Sequence, residues 1–157
     1  MNSSPIGRRH LLRCLAGLGL AAALPALAHH TETHMEDDSL HHVVFQCNKA
    51  DDDYLGHVLF SAGEMIRKYG DDVEVVISCS GAGLHLLGKK PGRPVAEIHQ
   101  QRAASLATYG VAFHACGNTL EGLGWSKEDL LPFAKVVPIG AVDLMLLQER
   151  GFAYISW

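Results

Sequence analysis

The 157-residue sequence has no surplus of basic charge: 13 Lys and Arg stand against 17 Asp and Glu, a formal net charge of −4. Recognition of nucleic-acid phosphates asks for a basic patch or stripe, and none is present, so no nucleic-acid partner is expected. Phosphate-cradling motifs are missing as well. The turn "CSGAGL" (79–84) places Gly81, Gly83 and then Gly88, which is not the dinucleotide fingerprint, and no Walker-type Gly-Lys-Ser occurs. A tight chain reversal explains those glycines. No apolar run is long enough to span a bilayer, which takes roughly 20 residues; the run "LAGLGLAAALPALA" (15–28) is interrupted by Gly17, Gly19 and Pro25. Stable membrane insertion is therefore not expected. No internal repeat is visible, and cysteine is scarce, with four in the whole chain.

What stands at the start is a leader. Residues 1–28 carry Arg8, Arg9 and Arg13 and no acidic residue, then the short apolar run, then a small-x-small site at Ala26-Leu27-Ala28. A basic n-region, a short h-region and such a site make an export signal. "GRRHLLR" (7–13) resembles the twin-arginine motif, so the expectation is a periplasmic protein, cleaved near Ala28. The mature chain then holds 157 − 28 = 129 residues, enough for one domain. It keeps Cys47, Cys79 and Cys116. In an oxidising compartment an odd count leaves at least one thiol free, metal-bound or paired between chains.

Residues 29–42, "HHTETHMEDDSLHH", are polar and acidic without apolar period, and read as a flexible tail. Their histidines, His29, His30, His34, His41 and His42, are weak candidate ligands for divalent copper, nickel or zinc, against the plainer alternative of a solvated spacer. From residue 43 to 157 the pattern becomes regular. Short β-branched runs at 42–47, 73–79, 111–116, 134–140 and 152–157 alternate with helical periodicity at 51–70, 95–110 and 141–151, the last read as amphipathic. Ser126 and Asp129 have capping-box spacing. Alternating strands and helices imply an α/β sandwich with a five-stranded, mostly parallel sheet.

In that layout Cys47, Cys79 and Cys116 each end one of the first three strands. Chemistry in open parallel sheets sits outside the carboxyl ends of strands. With the order 2-1-3-4-5 these strands are neighbours and the three sulfurs converge on one rim. Cys116, in "HACGNT" (114–119), has the richest setting: Gly117 lets the backbone approach closely, and Asn118 or Thr119 can cap a short helix. A cysteine at a helix N-terminus has a lowered pKa, and the thiolate is the reactive form. His114 shares the face of Cys116 by strand alternation, and His85 lies just past the second strand. Cys116 is thus the candidate nucleophile, with Cys79, Cys47 and His114 as candidate helpers. The alternative set Cys47, Cys79, Cys116 and His85 would hold a soft copper or zinc ion, although spacings of 32 and 37 residues match no zinc motif. A non-catalytic oligomeric binding module with structural cysteines is the third alternative.

The segments "CSGAGLHLL", "LATYGVAFHACGNTL" and "LLPFAKVVPIGAVDLMLLQERGFAYI" resemble the DsrE/DsrF-like family. The resemblance implies a small flavodoxin-like three-layer fold assembled into trimers or hexamers. It also implies sulfur carriage or transfer as a cysteine persulfide on Cys116, the position matching the family's cysteine, with a thiol or sulfane-sulfur partner protein and no dissociable cofactor. Nothing is carried over for Cys47 or Cys79. The export leader argues against a role in transfer RNA modification.

Overall fold

The computed structural model describes residues 41–157. The leader and tail histidines His29, His30 and His34 lie outside the described residues. Five strands and four α-helices alternate: β1 His41–Cys47, α1 Asp52–Tyr69, β2 Val73–Cys79, α2 Glu97–Thr108, β3 Ala112–Cys116, α3 Gly117–Leu123, β4 Ala134–Val137, α4 Gly140–Glu149 and β5 Ala153–Ile155. The first strand begins at His41, so His41 and His42 belong to the sheet rather than to the tail. His42 Nδ1 lies 3.3 Å from a Glu74 carboxylate oxygen on the neighbouring strand.

All four strand pairings are parallel, in the order β4-β3-β2-β1-β5. This is an α/β fold, but it departs from the expected 2-1-3-4-5 order. The chain steps outward over four strands before it turns back, whereas that order reverses after the second. Hydrophobic periodicity marks where strands lie and is silent on where the order reverses. The connection rule then fixes the layers. Right-handed crossovers that step in one direction put their helices on one face, and the return from β4 to β5 puts its helix on the other.

The packing follows this logic. Val43, Phe45, Cys47, Val75, Ile77, Cys79, Phe113 and Ala115 form one large buried cluster with Leu55, Val58, Leu59 and Ala62 of α1 and Ala103 of α2. The opposite face holds a smaller cluster of Val44, Val76, Leu147 and Phe152, with Ala112 and Leu144 against it. In α1, Asp52 and Asp53 occupy the first turn and Arg67 and Lys68 the last, complementing the helix dipole. The helix stops at Gly70, with φ of 57°, a conformation that costs other residues more. The capping box of Ser126 and Asp129 is present, starting a single 3-10 turn at Lys127–Asp129.

The last helix differs from its expected amphipathic form. Leu144 and Leu147 face the small core, but Val142, Met145 and Leu146 on the same helix are exposed, as is Ile139 just before it. The covered layer is therefore thin on this side and leaves an apolar surface open.

Candidate functional site

Cys47 and Cys79 are Cα partners in the β1–β2 ladder and are both fully buried in the α1/α2 core. Both are free thiols. A hydrogen bond with Cys47, together with burial, pushes the Cys79 thiol well above its ordinary value. A protonated, water-excluded thiol is a poor nucleophile and a poor ligand.

Cys116 is placed differently. The β2–β3 register pairs Cys79 with Ala115, so Cys116 stands one residue further along. Side chains alternate faces along a strand, and that single residue turns Cys116 away from Cys47 and Cys79 to the α4 side of the sheet. The expected convergence of three sulfurs on one rim is not found. Cys47 and Cys79 therefore lie on the opposite face of the sheet from Cys116, and the set Cys47, Cys79, Cys116 and His85 is not gathered around one point. Among the described residues no group of three or more His, Cys, Asp or Glu side chains is assembled to hold a metal ion.

The sulfur of Cys116 sits where two helices begin. Cys116 is itself the N-cap of α3, and the Gly140 N–H at the start of α4 donates to its Sγ at 3.3 Å. A side chain at position 140 would place its Cβ 3.2 Å from that sulfur, so glycine keeps the amide within reach. Burial pushes the Cys116 thiol up. The Thr119 hydroxyl and the amides of Thr119, Gly140 and Asn118 act in the other direction and together bring it below the ordinary thiol value. The Gly81 N–H donates to Thr119 Oγ1 at 3.1 Å, which leaves the hydroxyl proton of Thr119 free to point at the sulfur. Only 6% of Cys116 is exposed, so the donors act with limited competition from water.

His114 lies on the same face of β3 as Cys116, as alternation predicts. Its Nδ1 is 2.8 Å from Asp143 Oδ2 on α4, and both side chains are largely buried. The bond to a carboxylate fixes the ring and selects the tautomer with the proton on Nδ1. His85 instead belongs to the 3-10 segment Gly81–Leu87. It packs edge-on against Trp125, with ring centroids 5.1 Å apart, and its Nδ1 accepts from the Gly92 N–H at 3.1 Å.

The sequence places His114 and Cys116 on one face of β3, as observed, but the expected cap at Asn118 or Thr119 is not found: Cys116 is the N-cap, neither of those side chains caps the helix, and Asn118 and Thr119 lie in its first turn. Gly140 and Asp143 were not anticipated. Both belong to "IGAVD" (139–143), where a glycine opening a helix and an acid in its first turn are visible signals. Nothing in the sequence ties them to a strand 24 residues earlier.

A model of the DsrE/DsrF-like family matches residues 41–157. Among solved structures, a protein of unknown function, MTH1491 from Methanobacterium thermoautotrophicum, is similar at 24% identity, with a TM-score of 0.67 over 74% of this chain and 99% of that one. The ychN protein from E. coli is similar at 17% identity, with a TM-score of 0.61 and the same coverage. These two likenesses show the fold. No curated protein matches the chain.

Proposed function

The chain belongs to the DsrE/DsrF-like family, and from that premise we propose that it is an exported sulfur-handling protein carrying sulfane sulfur as a persulfide on Cys116. The observation that carries this reading is the set of donors around one sulfur. Four donors from two helix starts lower the Cys116 thiol against the effect of burial, while Cys79 is held protonated. Such a thiolate attacks a sulfane sulfur donor. With thiosulfate, the Cys116 thiolate forms a new S–S bond to the outer sulfur, the S–S bond of thiosulfate breaks, and sulfite leaves with the electron pair. No external oxidant or reductant is needed, and total charge is unchanged. The terminal sulfur then passes to a partner thiolate by the same exchange chemistry.

Export rests on the leader, which lies outside the described residues. No helix among the described residues is long and apolar enough to cross a membrane. Assembly into a homo-oligomer is part of the same proposal. Its support is the group of exposed apolar side chains on and just before α4, Ile139, Val142, Met145 and Leu146, since exposed apolar surface on a folded protein marks an interaction site. That surface adjoins Gly140, so assembly would enclose the sulfur further.

Intact-mass spectrometry of the reduced protein after exposure to thiosulfate tests the reading. A gain of about 32 Da, one sulfur atom acquired by exchange, that vanishes on reduction and is lost in Cys116→Ala is the expected result. A gain that persists in Cys116→Ala, or none from thiosulfate or polysulfide, refutes it.

A further inference from the structure

We propose that the cavity beside Thr119, over the carboxyl ends of β2 and β3, is a subsite for the oxyanion group of the sulfur donor, held by Arg93 and His85. The identification of the ligand as a sulfur donor rests on the persulfide reading above; the anion subsite itself does not.

The cavity measures about 300 Å³, and its wall includes Gly81, Ala82, His85, Arg93 and Thr119. No carboxylate lines it. Thr119 connects it to the chemistry, because the same residue lines the cavity and supports the sulfur of Cys116. Arg93 is exposed and makes no ion pair with a carboxylate among the described residues. An unpaired guanidinium at a cavity wall is a fork of donors matched to a planar or tetrahedral oxyanion.

His85 contributes the second donor. Its Nδ1 accepts the Gly92 N–H, so that nitrogen carries no proton. Burial, and then the nearby Arg93, lower the imidazole's affinity for a second proton. The neutral ring therefore bears its proton on Nε2. Nε2 has no hydrogen-bond partner among the described residues, although only 3% of His85 is exposed. The Trp125 contact and the Gly92 bond hold the ring, which leaves an oriented N–H donor in the wall of the cavity. A guanidinium, an imidazole N–H and no competing carboxylate suit an anion.

Two sources of that anion differ in size. A second cavity of about 810 Å³ shares Ala82 and Arg93 with the first and extends past Lys49 and Asp52. An inorganic oxyanion such as thiosulfate needs only the smaller space, whereas an organic persulfide would place its carboxylate at Arg93 and its body in the larger one.

The test uses two alkylating agents on the whole protein, iodoacetate as the anionic probe and iodoacetamide as the neutral one. The ratio of their rates at Cys116 cancels any change in thiolate population. In Arg93→Gln the iodoacetate-to-iodoacetamide ratio is expected to fall about fivefold at low salt, the order of effect a focused cationic site exerts on an anion, with the melting temperature unchanged. A ratio equal to that of the native protein overturns the subsite whether or not Cys116 forms a persulfide, and absence of the persulfide leaves the ratio test standing. Protection from iodoacetamide by sulfate that is lost in Arg93→Gln assigns an inorganic oxyanion. The same loss seen with S-methylglutathione assigns an organic carboxylate, and protection by neither overturns the proposal.

Discussion

Thr119→Val is the sharpest probe of the site, because it keeps the shape while removing the hydroxyl that donates to the sulfur, together with its acceptance of the Gly81 N–H. Thr119 Oγ1 accepts the Gly81 N–H at 3.1 Å, and the hydroxyl stands first among the donors that lower the Cys116 thiol against burial. A hydrogen bond to a charged group contributes about 1.5 kcal/mol or more, and 1.4 kcal/mol is about a factor of ten in an ionisation constant. The variant thiol is thus expected to be about a tenfold weaker acid. The rate consequence is smaller and changes sign with pH. Well below both ionisation points the thiolate population falls about tenfold, while the more basic thiolate regains about threefold in nucleophilicity, so exchange with a neutral aryl disulfide slows about three- to fourfold. Well above both points the population is equal and the variant reacts about threefold faster. The two pH–rate curves therefore cross. Thr119→Ser keeps the hydroxyl and should follow the native curve. A Thr119→Val curve that overlies the native one, in protein whose melting temperature shows it to be folded, would refute the account of why Cys116 is acidic.

Two further outcomes follow from the same structure. Cys116 has a lowered native pKa, so between that value and the ordinary thiol value the unfolded chain binds more protons than the native one and stability rises with pH. That contribution is complete above the unfolded value and is lost as pH falls through the native one; Cys79, raised in the native state, acts with the opposite sign. Urea titrations from pH 6.5 to 9 should show Cys116→Ala losing stability relative to the native protein as pH rises, and a difference independent of pH would count against the assignment. At Gly83, an added Cβ would stand 2.2 Å from the carbonyl oxygen of Cys47, a backbone atom that cannot step aside. Gly83→Ala should cost about 3 kcal/mol, read as a lower urea midpoint at unchanged slope; a loss below about 1 kcal/mol would mean the loop relocates freely.

The layers were legible in the sequence because burial on both faces makes apolar strands, and because Gly70, Gly110 and Gly151 punctuate the helices. β2 was placed with its observed ends, and the pairing of Ser126 with Asp129 was readable from spacing alone. Strand order was not, since the choice between 2-1-3 and 3-2-1 depends on which helix faces complement which sheet faces. The final strand shrank from six expected residues to Ala153–Ile155, because only Val43, Val44 and Phe45 of β1 offer it partners. For α4, apolar content was legible but its direction was not. Val142 and Met145 lie outside the narrow contact that one helix makes over the small core.

The three cysteines show why the site itself was only half legible. Counting to strand ends gave Cys47, Cys79 and Cys116 the same address, and for the first two this holds, since they face each other in register. What separates Cys116 is the offset that pairs Cys79 with Ala115. Because side chains alternate, a slip of one residue exchanges faces entirely. Were β3 shifted by one, Cys116 would enter the α1/α2 core, lose the Gly140 and Thr119 donors and become a third inert thiol. Register is set by the packing of Phe113 and Ala115 into the large core and Ala112 against the small one, residues remote from any chemistry. The acidity of Cys116 is in that sense a property of the hydrophobic pattern of β3.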